Sequence, residues 1–141
     1  MSYQAKSTAA MLAIYVLVYG LYFSKMATAA SAGPVDGIAY GTLLACMVGL
    51  LVALTVVANI VIAALAPKNA DGALADERDR LIELRGAYKG SFMVATSAVG
   101  AMFLAIAEVD TFWIAHLLLL GLVLGEILKA AAMLVDYRRG L

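Results

Sequence analysis

Glu126 and Lys129 stand three residues apart in a long apolar run near the C-terminal end of the chain. On a helix that spacing puts both on one face, where a carboxylate and an ammonium can meet. Ionisable groups at membrane depth are costly, and they mark either a paired clamp or an ion path. As a pair the two cost far less than either alone. If Lys129 instead snorkels toward the headgroups, Glu126 must be protonated, hydrogen-bonded to another helix or open to water. Taking Tyr137 as the inner boundary, a rise of ~1.5 Å per residue sets Glu126 roughly 16 Å deep, near the bilayer midplane. Asn59 and Thr55, in an earlier apolar run, reach comparable depth and are the natural internal partners. A structural clamp is expected, with a proton or cation site as the alternative.

Two further groups could do chemistry. His116 is the one histidine; it can ligate haem or a chlorophyll-type pigment, with Met102 or a second copy supplying another axial ligand. The plainer expectation is a histidine at the outer interface, hydrogen-bonded to a neighbouring helix. Tyr15, Tyr19 and Tyr22 recur at four and three residues and form a hydroxyl-bearing stripe on one helix face. Such a stripe can line a quinone, carotenoid or drug-sized pocket, or pack against small-residue helices with each hydroxyl bonded to a neighbour. The packing role is the expectation, and no cofactor is predicted.

Other chemistry is missing from the sequence. No Gly-rich phosphate loop, metal-ligand cluster or Ser/His/Asp set is present, so no enzyme and no metal site is expected. Acidic and basic residues number 10 each, and a net charge of zero offers nucleic acid no basic field. The single cysteine, Cys46, lies in an apolar run and reads as a small packing residue.

The elements that must position these groups follow from composition. With 65% hydrophobic and 14% charged residues and a mean hydropathy of +0.95, the chain lies far from a soluble domain. Its apolar runs are long enough to cross ~30 Å of hydrocarbon, which takes about 20 helical residues. We expect an all-α polytopic membrane protein. Residues 1–141 form one domain of four transmembrane helices in two hairpins, spanning about 8–27, 38–65, 91–109 and 112–135. A secretory signal at the start, with Lys6 before the apolar run and Ala30-Ser31-Ala32 as cleavage site, is opposed by the length of the Thr8-to-Phe23 stretch. That stretch exceeds an h-region of about 7–15 residues.

Lys68, Arg78, Arg80, Arg85 and Lys89 lie between spans two and three, Lys6 at the start, and Arg138 and Arg139 at the end. The other loops offer only Lys25. By the positive-inside rule both termini and the central segment face the cytoplasm, and Phe112 and Trp113 start the fourth span at the outer interface.

Small side chains at four-residue intervals let helix backbones approach in lipid. Gly37, Gly41, Ala45, Gly49 and Ala53 form such a groove on span two, Ser97, Ala101 and Ala105 on span three, and Gly121 with Gly125 a GxxxG on span four. The expectation is packing within a four-helix bundle, with a dimer or partner seam as the alternative. Gly49-Leu50-Leu51-Val52-Ala53 also aligns with Gly121-Leu122-Val123-Leu124-Gly125, which is compatible with two duplicated hairpins.

From Asp71 to Lys89 the chain reads as a short amphipathic cytoplasmic helix, with Leu74, Leu81, Ile82 and Leu84 toward one side and Asp76 able to pair with Arg80. Asp76, Arg78, Arg80 and Arg85 then form a charged surface that tethers the two hairpins or meets anionic lipid or a cytoplasmic partner. The stretch from Asp76 to Gly86, set between helices two and three, resembles small bacterial four-helix predicted membrane proteins, a group without a settled function. The resemblance implies a bacterial inner-membrane location and brings no catalytic residues.

A non-enzymatic membrane subunit or accessory protein is therefore expected. Its partners are the lipid bilayer and either further copies of itself, as a homo-oligomer, or a larger complex. A small proton- or cation-coupled transporter using Glu126 is the first alternative, and a haem- or pigment-binding subunit the second. Size and four spans are similar to the small multidrug-resistance exporters, but those carry their key glutamate in the first helix, and the first helix here has no acid.

Overall fold

In a computed structural model the described residues are 3–64 and 72–139; side chains are described from Thr8 onward, except those of Asn59, Ile62, Ala63 and residues 72–76. Within them the chain is all-helical. α1 runs Tyr3–Ala32, a single 3-10 turn covers Val35–Gly37, α2 runs Gly41–Ala64, α3 Gly72–Ile106 and α4 Thr111–Arg139. All four helices are long and apolar enough to cross a membrane. Hydrocarbon favours this outcome because a helix satisfies its own backbone hydrogen bonds.

α4 packs along α3 and also against α1, while α2 joins chiefly through α1. The α3–α4 pair is the tightest contact, and glycines make it so. A Cβ built on Gly90 would stand 2.7 Å from the Gly125 carbonyl oxygen, and one on Gly125 would stand 3.0 Å from that of Gly90. Backbone therefore touches backbone, with neither side able to yield. The Ser97 side chain fills the notch that Gly121 leaves open. Gly86 lets the Lys129 and Met133 side chains cross it. Gly86 and Gly90 are a second GxxxG, set at the end of the charged segment where no lipid-facing helix contact is expected.

The α3–α4 turn is closed by two local devices. Glu108 N–H donates to Ala105 O and Val109 N–H to Leu104 O, the paired bonds of a Schellman stop, with Glu108 in the left-handed position at φ 54°. Asp110 then caps α4, its Oδ1 accepting from Phe112 N–H at 2.7 Å.

The charged stretch does not form a separate helix. From Gly72 to Ile106 the chain is one 35-residue helix, about 50 Å long at the usual rise, so its first half extends past a ~30 Å core. The physical reason is that its glycines, at 86 and 90, are not breakers here but contact surface for α4. Of the apolar residues expected to share a face, Ile82 is buried, whereas Leu81 and Leu84 are exposed. Arg78, Arg80 and Arg85 are exposed on this half of α3. The Asp76 and Leu74 side chains, Asp71 and Lys68 lie outside the described residues.

The span-two groove also differs from expectation. Gly37 lies in the 3-10 turn before α2, and Gly41, Ala45, Gly49 and Ala53 are exposed along α2; a Cβ on Gly37, Gly41 or Gly49 would meet nothing within 4 Å. α2 instead turns Leu44, Met47, Val48, Leu51 and Leu54 to the core. At ~100° per residue that face lies on the far side of the helix from the small residues. Both faces are apolar, so hydropathy could not choose between them. Thr55, on the core-facing side, meets the tyrosines.

Candidate functional site

The tyrosine stripe of α1 is the centre of the core. Tyr15, Tyr19 and Tyr22 are buried and cluster with Leu51 of α2 and Leu119 and Val123 of α4. Each phenol has a partner, as it must in a medium where a lone buried hydroxyl costs several kcal/mol, on the order of 2–7. Tyr19 O–H donates to the Met47 carbonyl at 2.8 Å. Thr55 O–H is committed to Leu51 O at 2.9 Å, so Tyr15 O–H donates to Thr55 Oγ1, also at 2.9 Å. These two bonds tie α1 to α2, and the third ties α1 to α4.

That third bond joins Tyr22 to His116 Nε2 at 2.9 Å, while His116 Nδ1 meets the Phe112 carbonyl at 2.7 Å. A carbonyl only accepts, so Nδ1 carries the proton and Nε2 receives the Tyr22 hydroxyl. The imidazole lies parallel to the Tyr22 ring, with 6° between the planes, and 4.1 Å between centroids from the Phe112 ring; Tyr40 and Phe23 complete the surround. Both ring nitrogens are thus engaged and the residue is 7% exposed. Met102 is exposed on α3. In this arrangement a haem or pigment would need Tyr22 to release Nε2. Sequence reasoning missed Phe112 O and Met47 O as partners, because backbone acceptors leave no trace in residue type.

Glu126 and Lys129 part company. The Lys129 stem runs over Gly86 and Gly90 of α3, while Glu126 is half-buried on α4. Among the described residues no ion pair joins the two. The clamp expected from their spacing is therefore not formed, because the glycine surface of α3 draws the lysine stem away. Thr55 bonds Tyr15 of α1, and the Asn59 side chain lies outside the described residues. Cys46 is exposed. No group of three His, Cys, Asp or Glu residues fit to hold a metal is found among the described residues.

At the other end, the turns before α2 and α4 bring two carboxyls together. Asp36 shares a hydrogen bond with Asp110, and that bond and the like charge hold the Asp36 carboxyl above the ordinary aspartate range.

Taken together, the hydrogen-bonded tyrosines, Thr55 and His116 tie α1 to α2 and α4. No protein-family model, no curated protein and no solved structure matches this chain.

Proposed function

We propose that this chain is a non-enzymatic subunit of the bacterial inner membrane, two hairpins with both termini cytoplasmic, which assembles in the bilayer with further copies of itself or with a larger complex. The observation that carries this reading is the unused close-packing surface of α2: Gly41, Ala45, Gly49 and Ala53 face outward with open space before the glycines. Where α3 and α4 meet, the same residue types bring backbones into contact. Lipid tails gain nothing from such a groove, whereas a second helix gains van der Waals contact along its whole length.

The test is mass measurement after purification in mild detergent, on the native protein and Gly49→Leu. The native protein should run as more than one chain, alone or with copurifying partners, and the variant as a folded monomer, since a side chain at 49 meets nothing within the protomer. A partnerless native monomer would count against the reading.

A second reading is supported by Glu126, which is half-buried on α4 and among the described residues not paired with Lys129. In that reading Glu126 binds and releases a proton as a substrate or ion crosses. Reconstituted vesicles should then show flux that Glu126→Gln abolishes; equal flux, or none from either protein, removes it.

A further inference from the structure

At the charged end of the bundle, α4 places Asp136 against α3. The residue is 6% exposed, and its Oδ2 has no hydrogen-bond partner among the described residues. A buried carboxylate oxygen left unpaired is costly, so it implies a group that the protomer does not supply. The space beside it is a shallow, open cleft lined by Leu84, Arg85, Tyr88, Lys89 and Asp136. Arg85 and Lys89 are both exposed at its rim, and among the described residues neither is ion-paired with Asp136.

The cleft therefore offers one acceptor at its wall and two cations at its mouth. A lone metal or ammonium ion would meet the two positive charges, and a lone phosphate would meet the aspartate. A zwitterion with an ammonium at one end and a phosphate at the other satisfies both. We propose that the cleft binds a phosphoethanolamine group, the ammonium donating to the Asp136 carboxylate and the phosphate held by Arg85 and Lys89. An ethanolamine fits where a choline does not, because a trimethylammonium has no N–H to donate. Depth agrees with a lipid source: Asp136 is ten residues beyond Glu126, about 15 Å along the helix, at the edge of the hydrocarbon layer. Tyr88 and Leu84, 78% and 57% exposed, supply an aromatic ring and an apolar surface at that same level.

The purified protein in detergent is titrated with phosphatidylethanolamine and phosphatidylcholine of identical chains, and separately with soluble phosphoethanolamine and phosphocholine, followed by native mass spectrometry and thermal unfolding. The native protein should prefer ethanolamine to choline by about tenfold, the factor expected of one hydrogen bond to a charged acceptor. Asp136→Leu should lose that preference, and Arg85→Gln with Lys89→Gln should weaken both headgroups alike. Lipid binding together with soluble competition assigns the site to lipid, and binding of the soluble compound alone assigns it to a water-borne ligand. Equal affinity for ethanolamine and choline in the native protein overturns the proposal without any variant, as does a preference that survives Asp136→Leu.

Discussion

At the scale of single residues, the histidine and the tyrosines act as a hydrogen-bonded set. Tyr22→Phe leaves His116 Nε2 without its donor inside a ring of aromatic side chains, which should cost about 1–3 kcal/mol. His116→Phe alone strands the Tyr22 hydroxyl and should cost a similar amount. The double variant should be less destabilised than the sum, and unfolding in mixed detergent would measure that coupling; additive losses would deny the bond. The stripe itself was legible from the four-and-three spacing of Tyr15, Tyr19 and Tyr22. Their partners were not, since one is a main-chain carbonyl and another lies 94 residues away.

A second prediction at this scale concerns pH. Asp36 has its pKa raised in the folded protein by the Asp110 hydrogen bond and charge. The folded state thus holds the proton more tightly than the unfolded chain. The resulting contribution is present at acid pH and is lost as pH rises through the raised Asp36 value. The melting temperature should therefore drop across a window just above the ordinary aspartate range. Asp36→Asn should flatten that step, and added salt should shrink it because the pair is exposed. A native profile with no such step would contradict the pairing.

At the scale of elements, the helices were legible and their faces only in part. Hydropathy alone separates four spans, since each run reaches about the length a bilayer needs. It could not say that the charged segment continues straight into α3, because Gly86 and Gly90 look like breakers until α4 is laid against them. Nor could it orient α2, whose two faces are equally apolar. A direct comparison follows. Gly90→Ala forces a Cβ onto the Gly125 carbonyl and should destabilise the protein by about 1–3 kcal/mol, the usual cost of overpacking. Gly41→Ala, with open space at the same atom, should leave the protomer's unfolding unchanged or slightly raise its stability through helix propensity. Equal effects at the two positions would mean that the α3–α4 contact is not as close as the geometry requires.

At the scale of the whole molecule, the protein is a tightly joined α3–α4 pair to which α1 is fastened by packing and Tyr22, and α2 by Tyr15 and Tyr19. Close-packing residues inside the molecule hold it together. Those left outside, on α2, are the basis of the proposed assembly. The most direct test places a photo-cross-linking side chain at position 49 of α2 in native membranes, with position 21 of α1, another exposed site, as the comparison. Position 49 should yield a discrete adduct to a second copy or to another membrane protein, while position 21 yields lipid adducts alone. Lipid adducts alone at position 49 as well would contradict assembly through this face.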